Sequence, residues 1–285
     1  MTPSMNLTHR MEAFTGRMLT PLALQWEDSA NWLWKSEGRA PELIKLARTC
    51  PERDPFWQGL WKLFGFDRWK VAATLPHLAG MLPSSLSFIP LSLKFLGYLN
   101  NAPSWSLPWC AHRIHCQSMP FAELLGDHIG RLHREAIAEW GHPLTGSYAL
   151  DQWPHKVRDY LAHSPQSAQL GSLVDTLPSI PTRAVWCLPD LRADQFLNGE
   201  TEWFWSDWEA LLWAPIEFDW SLLELLLDTP AMQQVFYRTY RHHASPPVLS
   251  GHRLHCRAIL WTMHVFGDVE WKTLRERPGW VDTIV

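Results

Sequence analysis

Tryptophan is the residue that most constrains how this chain can fold. The sequence of 285 residues contains 19 tryptophans but only 5 tyrosines. Such large rings need an interior that covers them, because each buries a large apolar surface. Seven of them fall at core-like spacing on predicted strands and helices, and we expect these to pack inside: Trp32, Trp34, Trp57, Trp61, Trp203, Trp205 and Trp208. The length suits one large domain or two lobes that share a cleft.

The overall composition excludes several classes of protein. Hydrophobic residues make up 46% of the chain and charged residues 19%, which is typical of a folded globular protein and not of a disordered one. The net charge is −4, so the chain offers no broad cationic surface for a phosphate backbone, and nucleic acid is not expected as a partner.

Cysteine usage and hydropathy bear on the location of the protein. The five cysteines are odd in number and widely scattered, which does not indicate a disulfide framework and favours a cytoplasmic location. The first residues lack the apolar run of a signal peptide. The most apolar stretch, from Met81 to Leu99, is interrupted by Pro83, Pro90 and Lys94. We therefore expect neither an export signal nor a membrane span.

The first 117 residues predict a small β-rich lobe with one helix. Turn residues separate short apolar runs, which suggests an antiparallel meander followed by two further strands. Apolar residues recur at helical spacing after Pro55, which suits the first turn of a helix. The predicted strands cover 22–26, 31–36, 42–47, 88–99 and 107–116, and the predicted helix covers 55–66.

Residues 118–285 predict a larger, mainly helical lobe, so the expected fold class is α+β with two lobes. A long amphipathic helix is predicted from 121 to about Trp140, and further helices at 153–163, 219–227, 231–243 and 253–266. Short strand-like segments lie between them, around the tight turn Asn198-Gly199.

The most informative segment runs from 186 to 220 and holds three polar residues around that turn. Asp190 is followed five residues later by Gln195, and Asp207 stands where the second strand of the hairpin ends. Phosphoryl transfer needs such a set: one carboxylate orients a hydroxyl and accepts its proton, while an amide oxygen and a second carboxylate hold magnesium. The hairpin would bring the three side chains together.

This segment resembles the aminoglycoside-phosphotransferase branch of the protein-kinase-like fold, which includes choline kinases and other small-molecule kinases. The family pattern is His-Gly-Asp-x4-Asn, a hairpin ending in Asp-Trp-Glu, and a later Asp that opens a helix. Here these elements are Leu188-Pro189-Asp190 with Gln195, then Asp207-Trp208-Glu209, then Asp219. The resemblance implies that Asp190 is catalytic, that Gln195 and Asp207 bind the metal, and that Asp219 braces the catalytic loop from behind.

The amino-terminal part is similar to the same family in outline. Residues 31–48 resemble its second and third strands, which implies that Lys45 binds the nucleotide phosphates. Gln58 aligns with the helix residue that partners this lysine, and Asn31 is a further nucleotide-binding candidate. The resemblance thus implies ATP or GTP, Mg²⁺ and a small-molecule acceptor with a hydroxyl group.

Four departures from the family pattern keep a second interpretation open. Leu188 and Pro189 replace the motif histidine and glycine, and the turn at 27–30 carries two acids where a glycine-rich turn should face phosphate. Gln195 replaces Asn, and Gln58 replaces Glu. The alternative is a catalytically silent relative that uses the cleft to bind a nucleotide, another ligand or a partner protein.

Two further patterns suggest binding functions that we consider less favoured. The tryptophans could stack on sugar rings, although their spacing favours packing. Two near-copies, residues 112–116 and 252–256, combine histidine with cysteine, and His252 and His255 would share a helical face as zinc ligands do. The first copy lies in a predicted strand, far from the second, so structural histidines are the favoured interpretation.

Overall fold

The computed structural model describes residues 1–24, 29–48, 54–110, 118–199 and 202–283. Its α-helices are α1 (Met5–Thr15), α2 (Pro55–Phe64), α3 (Met119–Leu132), α4 (Trp153–Ala162), α5 (Ser167–Leu170), α6 (Ile216–Leu226), α7 (Pro230–Tyr240), α8 (Arg253–Thr262) and α9 (Trp271–Glu276). Short 3-10 helices lie at Leu75–Met81, Leu150–Gln152, Gly171–Asp175 and Ala193–Gln195. Helices and antiparallel sheets therefore mix in one chain, as an α+β fold requires.

Three sheets account for the strands of the described residues. The strands are β1 (Leu19–Pro21), β2 (Asn31–Ser36), β3 (Glu42–Ala47), β4 (Ile89–Pro90), β5 (Lys94–Leu99), β6 (Ala102–Pro108), β7 (Glu139–His142), β8 (Gly146–Ala149), β9 (Ala184–Cys187), β10 (Phe196–Asn198), β11 (Trp203–Trp205) and β12 (Leu212–Pro215). Their orders are β1-β2-β3-β6-β5, β10-β11-β4 and β8-β7-β12-β9.

The five-stranded sheet confirms the meander but shifts two of the predicted strands and divides a third. Of the strand predicted at 88–99, only residues 94–99 belong to this sheet, and residues 89–90 form β4 in another sheet. The strand predicted at 22–26 lies at 19–21, because β1 follows α1, a helix that the sequence analysis missed. The strand predicted at 107–116 begins at 102, because Asn100 and Asn101 both adopt left-handed φ, at 52° and 65°. Two such residues form a tight hairpin turn, so the strand resumes directly after them. Residues 111–116 lie outside the described part.

Helix α2 confirms its prediction. Asp54 caps the amino end by accepting from the backbone N–H groups of Phe56 and Trp57, and Pro55 occupies the first turn. At the other end Gly65 adopts a φ of 71°, the left-handed conformation that stops a helix at low cost. This geometry fixes where the amino end of α2 points, and that end lines the cleft described below.

The second half contains most of the helices, and three of the predicted ones end several residues early. The helices predicted to end at 243 and 266 end at Tyr240 and Thr262. Helix α3 ends at Leu132, and the residues up to Trp140, predicted as helix, instead lead into β7. Trp140 is fully buried, with its ring 5.7 Å from that of Phe64 and 4.8 Å from that of Trp153. This packing favours the strand over continued helix.

Strand pairing joins the two halves of the chain through the short strand β4. β4 pairs in parallel with β11, and the Leu91 N–H donates to the carbonyl of Trp205 at 2.9 Å. The indole N–H of Trp208 donates to the carbonyl of Leu91 at 2.9 Å. One hydrophobic core runs through both halves. The division at residue 117 stays a prediction.

The tryptophans mostly fill the interior, as predicted. Among the seven named above, Trp34, Trp57, Trp205 and Trp208 are buried, Trp32 and Trp203 are half-buried, and Trp61 is 40% exposed. The prediction was wrong for Trp61, which lies on the outer face of α2. Within the described ranges, no helix is both long and apolar enough to cross a membrane.

Candidate active site

The central feature of the candidate site is the loop that leaves β9. Every residue of β9 is buried, and the chain then turns at Leu188 and Pro189 so that Asp190 reaches the surface of a cleft. Leu188 and Leu191 anchor the loop on either side, with 3% and 2% of their surface exposed. Apolar anchors thus hold the loop where the family pattern has a histidine and a glycine.

The cleft has a volume of about 770 Å³. Its walls come from the start of β2, the amino end of α2, Arg68, the loop after β9, the segment after β11, the end of α6 and the loop that follows α8. The lining residues include Asn31, Asp54, Trp57, Arg68, Asp190, Arg192, Asp207, Glu209 and residues 263–268. Three of the predicted site residues, Asn31, Asp190 and Asp207, therefore face one space.

Asp190 has the environment of a proton acceptor. Its Oδ1 lies 3.2 Å from Nη1 of Arg192, whose Nε also contacts Asp194 at 3.3 Å. Burial is the main cause that raises the pKa of Asp190 to about 7. Arg192 acts to lower this pKa, and Asp207, Asp194 and Asp54 act to raise it. A carboxyl group that titrates near neutrality can accept a proton and release it again.

Gln195 is directed into its own loop. Its Nε2 donates to the backbone carbonyl of Asp190 at 2.6 Å, and its Oε1 accepts from the backbone N–H of Arg192 at 3.1 Å. The side chain is 1% exposed. Both ends of the carboxamide therefore hold the shape of the loop, and its predicted role as a metal ligand stays a prediction.

Lys45 joins the five-stranded sheet to the residues after β11. Its Nζ forms an ion pair with Asp207 and a second one, at 2.7 Å, with Glu209. Burial acts to lower the pKa of Lys45, but the two carboxylates outweigh it and raise the pKa. Burial likewise acts against the ionised Asp207, yet Lys45 and then Arg192 lower its pKa to about 2. Lys45 and Asp207 are therefore both charged at neutral pH.

The two remaining nucleotide-binding candidates lie on different elements, and only Asn31 lines the cleft. Asn31 begins β2, and its Oδ1 accepts from Nη2 of Arg68 at 2.7 Å. Gln58 is half-buried on α2 and is not among the described residues that line the cleft. Its predicted role as partner of Lys45 stays a prediction, and the carboxylate partners of that lysine are Asp207 and Glu209.

Asp219 lies behind the loop, on the side away from the cleft. Its Oδ1 accepts from the thiol of Cys187 at 2.9 Å, and its Oδ2 lies 2.9 Å from Nε2 of His133. Burial raises the pKa of the Cys187 thiol well above its usual value, so the thiol keeps the proton that it donates. His133 also contacts the hydroxyl of Tyr240 at 3.0 Å. Asp219 thus holds the end of β9 through Cys187, directly before Leu188.

Asp207 is the residue that best fits a magnesium ion. Mg²⁺ prefers one or two carboxylates and completes its shell with water and substrate phosphates. Asp207 is 38% exposed and charged, whereas the oxygen of Gln195 is buried and hydrogen-bonded. Within the described ranges, no group of three His, Cys, Asp or Glu residues could hold a metal ion.

The acidic turn and the two His-Cys patterns are only partly described by the structure. Residues 27–28 of the acidic turn and residues 112–116 of the first His-Cys pattern lie outside the described part. In the second pattern His252 and His255 are buried, and His255 Nε2 lies 3.0 Å from the hydroxyl of Thr176. These contacts agree with structural histidines.

Comparison with known proteins adds information at the level of the fold. No protein-family model matches the chain, and no curated protein matches it in sequence. Solved structures match over nearly the whole length. A spectinomycin phosphotransferase in complex with ADP and spectinomycin is 15% identical, with a TM-score of 0.54 over 96% of this chain and 90% of that one.

Two further solved structures give the same result. A macrolide 2′-phosphotransferase from Brachybacterium faecium is 14% identical, with a TM-score of 0.53 over 94% of this chain and 97% of that one. A choline kinase from Streptococcus pneumoniae is 17% identical, with a TM-score of 0.54 over 95% of this chain and 96% of that one. The chain therefore has the fold of the protein-kinase-like small-molecule phosphotransferases, as the resemblance implied, with a divergent sequence.

The sequence analysis missed several residues of the cleft. Glu209 stood in the quoted Asp-Trp-Glu motif, and that motif was the signal that could have assigned it to Lys45. Arg192 lies within the motif that carries Asp190, so its position could have been read there as well. Arg68 and the loop 263–268 carry no motif, and only the folded chain brings them to the cleft.

Proposed function

We propose that this protein is an ATP-dependent phosphotransferase that transfers the γ-phosphoryl group to a hydroxyl of a small metabolite. The observation that carries the proposal is the cleft that Asp190 and Asp207 both line, with Lys45 paired to Asp207. The fold is one whose solved examples include phosphotransferases, and one of these structures contains ADP. GTP is the alternative nucleotide.

Each residue would have a distinct task in this reaction. Asp190 would orient the acceptor hydroxyl and take its proton, for which a pKa of about 7 is well suited. Lys45 would contact the phosphates, and Asp207 would hold Mg²⁺. A bound Mg²⁺ would neutralise charge that develops on the phosphates. Gln195 would keep the loop in shape, with a direct contact to the metal as the alternative.

One observation favours the second candidate, a silent relative that binds without catalysis. Lys45 pairs with both Asp207 and Glu209, and Gln195 turns away from the cleft. In this arrangement the phosphate-binding and metal-binding groups satisfy one another. Mg-ATP must compete with these contacts in order to bind. The affinity for Mg-ATP therefore distinguishes an enzyme from a protein that does not bind nucleotide.

The decisive experiment is the substitution Asp190→Asn. We expect phosphate transfer from ATP to fall by about 10²–10⁴-fold, because the acceptor loses its base. ADP formation would be measured over a panel of sugars, amino alcohols and aminoglycosides. The matched control is Asp194→Asn, which also removes a carboxylate beside Arg192 but one outside the lining of the cleft. Equal rates for wild type and Asp190→Asn would refute the assignment.

A thermal-shift measurement tests binding separately from catalysis. Mg-ATP at 100 times its Kd should stabilise the folded protein by about 2.7 kcal/mol. A shift with no turnover on any acceptor would support the silent relative. Stabilisation by oligosaccharides in place of nucleotide would support a sugar-binding module and count against both candidates.

A further inference from the structure

A buried arginine forms part of the cleft wall next to the residues of the proposed function. Arg68 is 2% exposed and lies between two tryptophans, with its guanidinium carbon 4.4 Å from the ring centre of Trp57 and 4.6 Å from that of Trp105. Such contacts stabilise a cation that is removed from water. Each ring lies against the guanidinium, and together the two rings restrict its orientation.

The hydrogen bonds of Arg68 are strikingly incomplete for a buried group. A guanidinium has five N–H donors. Within the described residues its single hydrogen bond goes from Nη2 to Oδ1 of Asn31, at 2.7 Å. Its Nε is buried without a hydrogen-bond partner. An arginine keeps its charge even when it is buried. Buried donors are normally hydrogen-bonded, so we expect an acceptor from outside the described chain for the remaining N–H groups.

The neighbouring carboxylates are already engaged. Glu209, Asp207 and Asp54 all act on Arg68 electrostatically. The first two form their ion pairs with Lys45, and Asp54 caps α2 by accepting from two backbone N–H groups of its first turn. Among the described residues, no carboxylate forms an ion pair with Arg68. The cleft therefore contains a cation whose charge is only distantly balanced, beside a lysine whose charge is directly balanced.

The position of Arg68 points to the kind of ligand. Asn31, its hydrogen-bond partner, lines the same cleft as Asp190 and Asp207. Planar guanidinium groups bind phosphate oxygens through two parallel hydrogen bonds. Arg68 lines this cleft with N–H donors that no described residue accepts.

We propose that Arg68 binds the phosphate chain of the nucleotide in this cleft. The inference rests on the proposed function and adds to it a phosphate-binding residue that no sequence motif marks. Arg68 holds the phosphates together with Lys45, and Trp57 and Trp105 keep the guanidinium in place. An oxyanion of the acceptor has the same chemistry, and the choice of probes below separates the two sources.

The test compares binding of four probes to three proteins by calorimetry. The probes are Mg-ATP, adenosine, inorganic tripolyphosphate and inorganic phosphate, and the proteins are wild type, Arg68→Met and Arg68→Lys. We expect Arg68→Met to weaken Mg-ATP and tripolyphosphate by about ten- to a hundredfold and to leave adenosine within about twofold. Arg68→Lys keeps the charge but loses the two parallel bonds, so we expect an intermediate loss.

A matched control removes an equivalent cation elsewhere. Arg241 is exposed and lies over the ring of Tyr237 at 5.7 Å, so Arg241→Met should bind all four probes as wild type does. Circular dichroism and thermal melting show whether each variant is folded. If Arg68→Met does not fold, the Arg68→Lys variant decides the question.

The outcomes separate this inference from the proposed function. Wild-type affinity for Mg-ATP in a folded Arg68 variant would overturn the inference alone, and so would an equal loss for Mg-ATP and adenosine. Binding of inorganic phosphate that depends on Arg68, without any dependence for Mg-ATP, would assign the site to an acceptor oxyanion and overturn it too. A wild type that binds neither Mg-ATP nor tripolyphosphate would overturn both proposals.

Discussion

The two sides of the loop after β9 differ in how they are held. On the cleft side, Asp190 pairs with Arg192, and Lys45 pairs with Asp207 and Glu209. On the opposite side, Leu188 is buried and Asp219 contacts Cys187 and His133, all within the core. Asp190, Arg192 and Asp207 are partly exposed, so a ligand can exchange contacts with them. Lys45 and Glu209 are buried, and the second set is sealed from solvent.

This difference shows where the chain departs from the family pattern that its sequence resembles. The replaced motif residues, now Leu188 and Pro189, belong to the support of the loop, where apolar packing can substitute for a polar brace. The acidic residues that face the cleft remain. The absence of the motif histidine therefore does not by itself argue against function. The residues that support the loop need only to pack well, whereas those that face the cleft must contact a ligand.

Among the variants that test this difference between the two sides, Lys45→Met should have the largest effect. Removing one partner of a buried ion pair leaves Glu209, 6% exposed, without its cation, and this should lower the free energy of unfolding by about 3–5 kcal/mol. Nucleotide binding should weaken as well, because Lys45 pairs with Asp207, which lines the cleft. Urea denaturation and calorimetry would measure the two effects.

The control for Lys45→Met is Lys94→Met, on an exposed position of the same sheet. Its stability should stay within about 0.5 kcal/mol of wild type. If Lys45→Met lost stability but kept wild-type affinity for Mg-ATP, Lys45 would belong with the supporting residues. Its assignment to the cleft side would then be wrong.

A smaller effect is expected for Asp219→Ala, on the support side. The substitution leaves the Cys187 thiol without its acceptor and His133 without its neighbouring carboxylate, so we expect a loss of about 2–3 kcal/mol in urea denaturation. The affinity for Mg-ATP should change little while the protein remains folded.

The matched control for Asp219→Ala is Asp228→Ala. Asp228 forms an exposed ion pair with Arg277 at 2.6 Å, and its removal should cost less than about 1 kcal/mol. Should the two variants be equally stable, the contacts of Asp219 would not support the loop in the way inferred here.

The smallest effect concerns pH. With a pKa of about 7, Asp190 must lose its proton to act as a base, so kcat/KM should fall about tenfold per pH unit below 7. Arg192 lowers this pKa, hence Arg192→Met should move the acid limb to higher pH by about one unit. Arg158→Met, a partly exposed arginine on α4, should leave the profile unchanged.

The same pKa predicts a dependence of stability on pH. Asp190 has a folded-state pKa raised above its ordinary value of 3.8, so its contribution to stability is fully present below about pH 4 and is lost as the pH rises through about 7. Asp190→Asn should therefore gain stability relative to wild type at pH 8 but not at pH 4. A difference of the opposite sign in thermal melting would contradict a raised pKa.

Much of the fold could be predicted from local signals. Asp54, Pro55 and the spacing of apolar residues define α2. The segment around Asn198 indicates the hairpin of β10 and β11, in which Asn198 itself ends β10 and pairs with Trp203. Both signals act within a few residues of the structure that they specify. Helix α1 has a capping serine, Ser4, and a closing glycine, Gly16, but little apolar periodicity, so the pattern did not reveal it.

The candidate site was predictable where a motif fixes the spacing and not where distant segments meet. Asp190 and Asp207 were found because a hairpin of known length separates them. The pairing of Lys45 with Glu209 joins residues 164 apart, and Arg68 reaches the cleft through its packing between two tryptophans. Such contacts depend on how the core assembles, which no local pattern encodes.

The pairing of β4 with β11 has a consequence for synthesis on the ribosome. The carbonyl of Leu91 accepts from Trp208, 117 residues further along the chain. At roughly 5–20 residues per second, the nascent chain waits on the order of ten seconds for that partner. Until then Phe88 and Leu91 lack the residues that bury them in the folded protein. We expect the early part of the chain to engage chaperones during translation and to complete its core only when the hairpin has emerged.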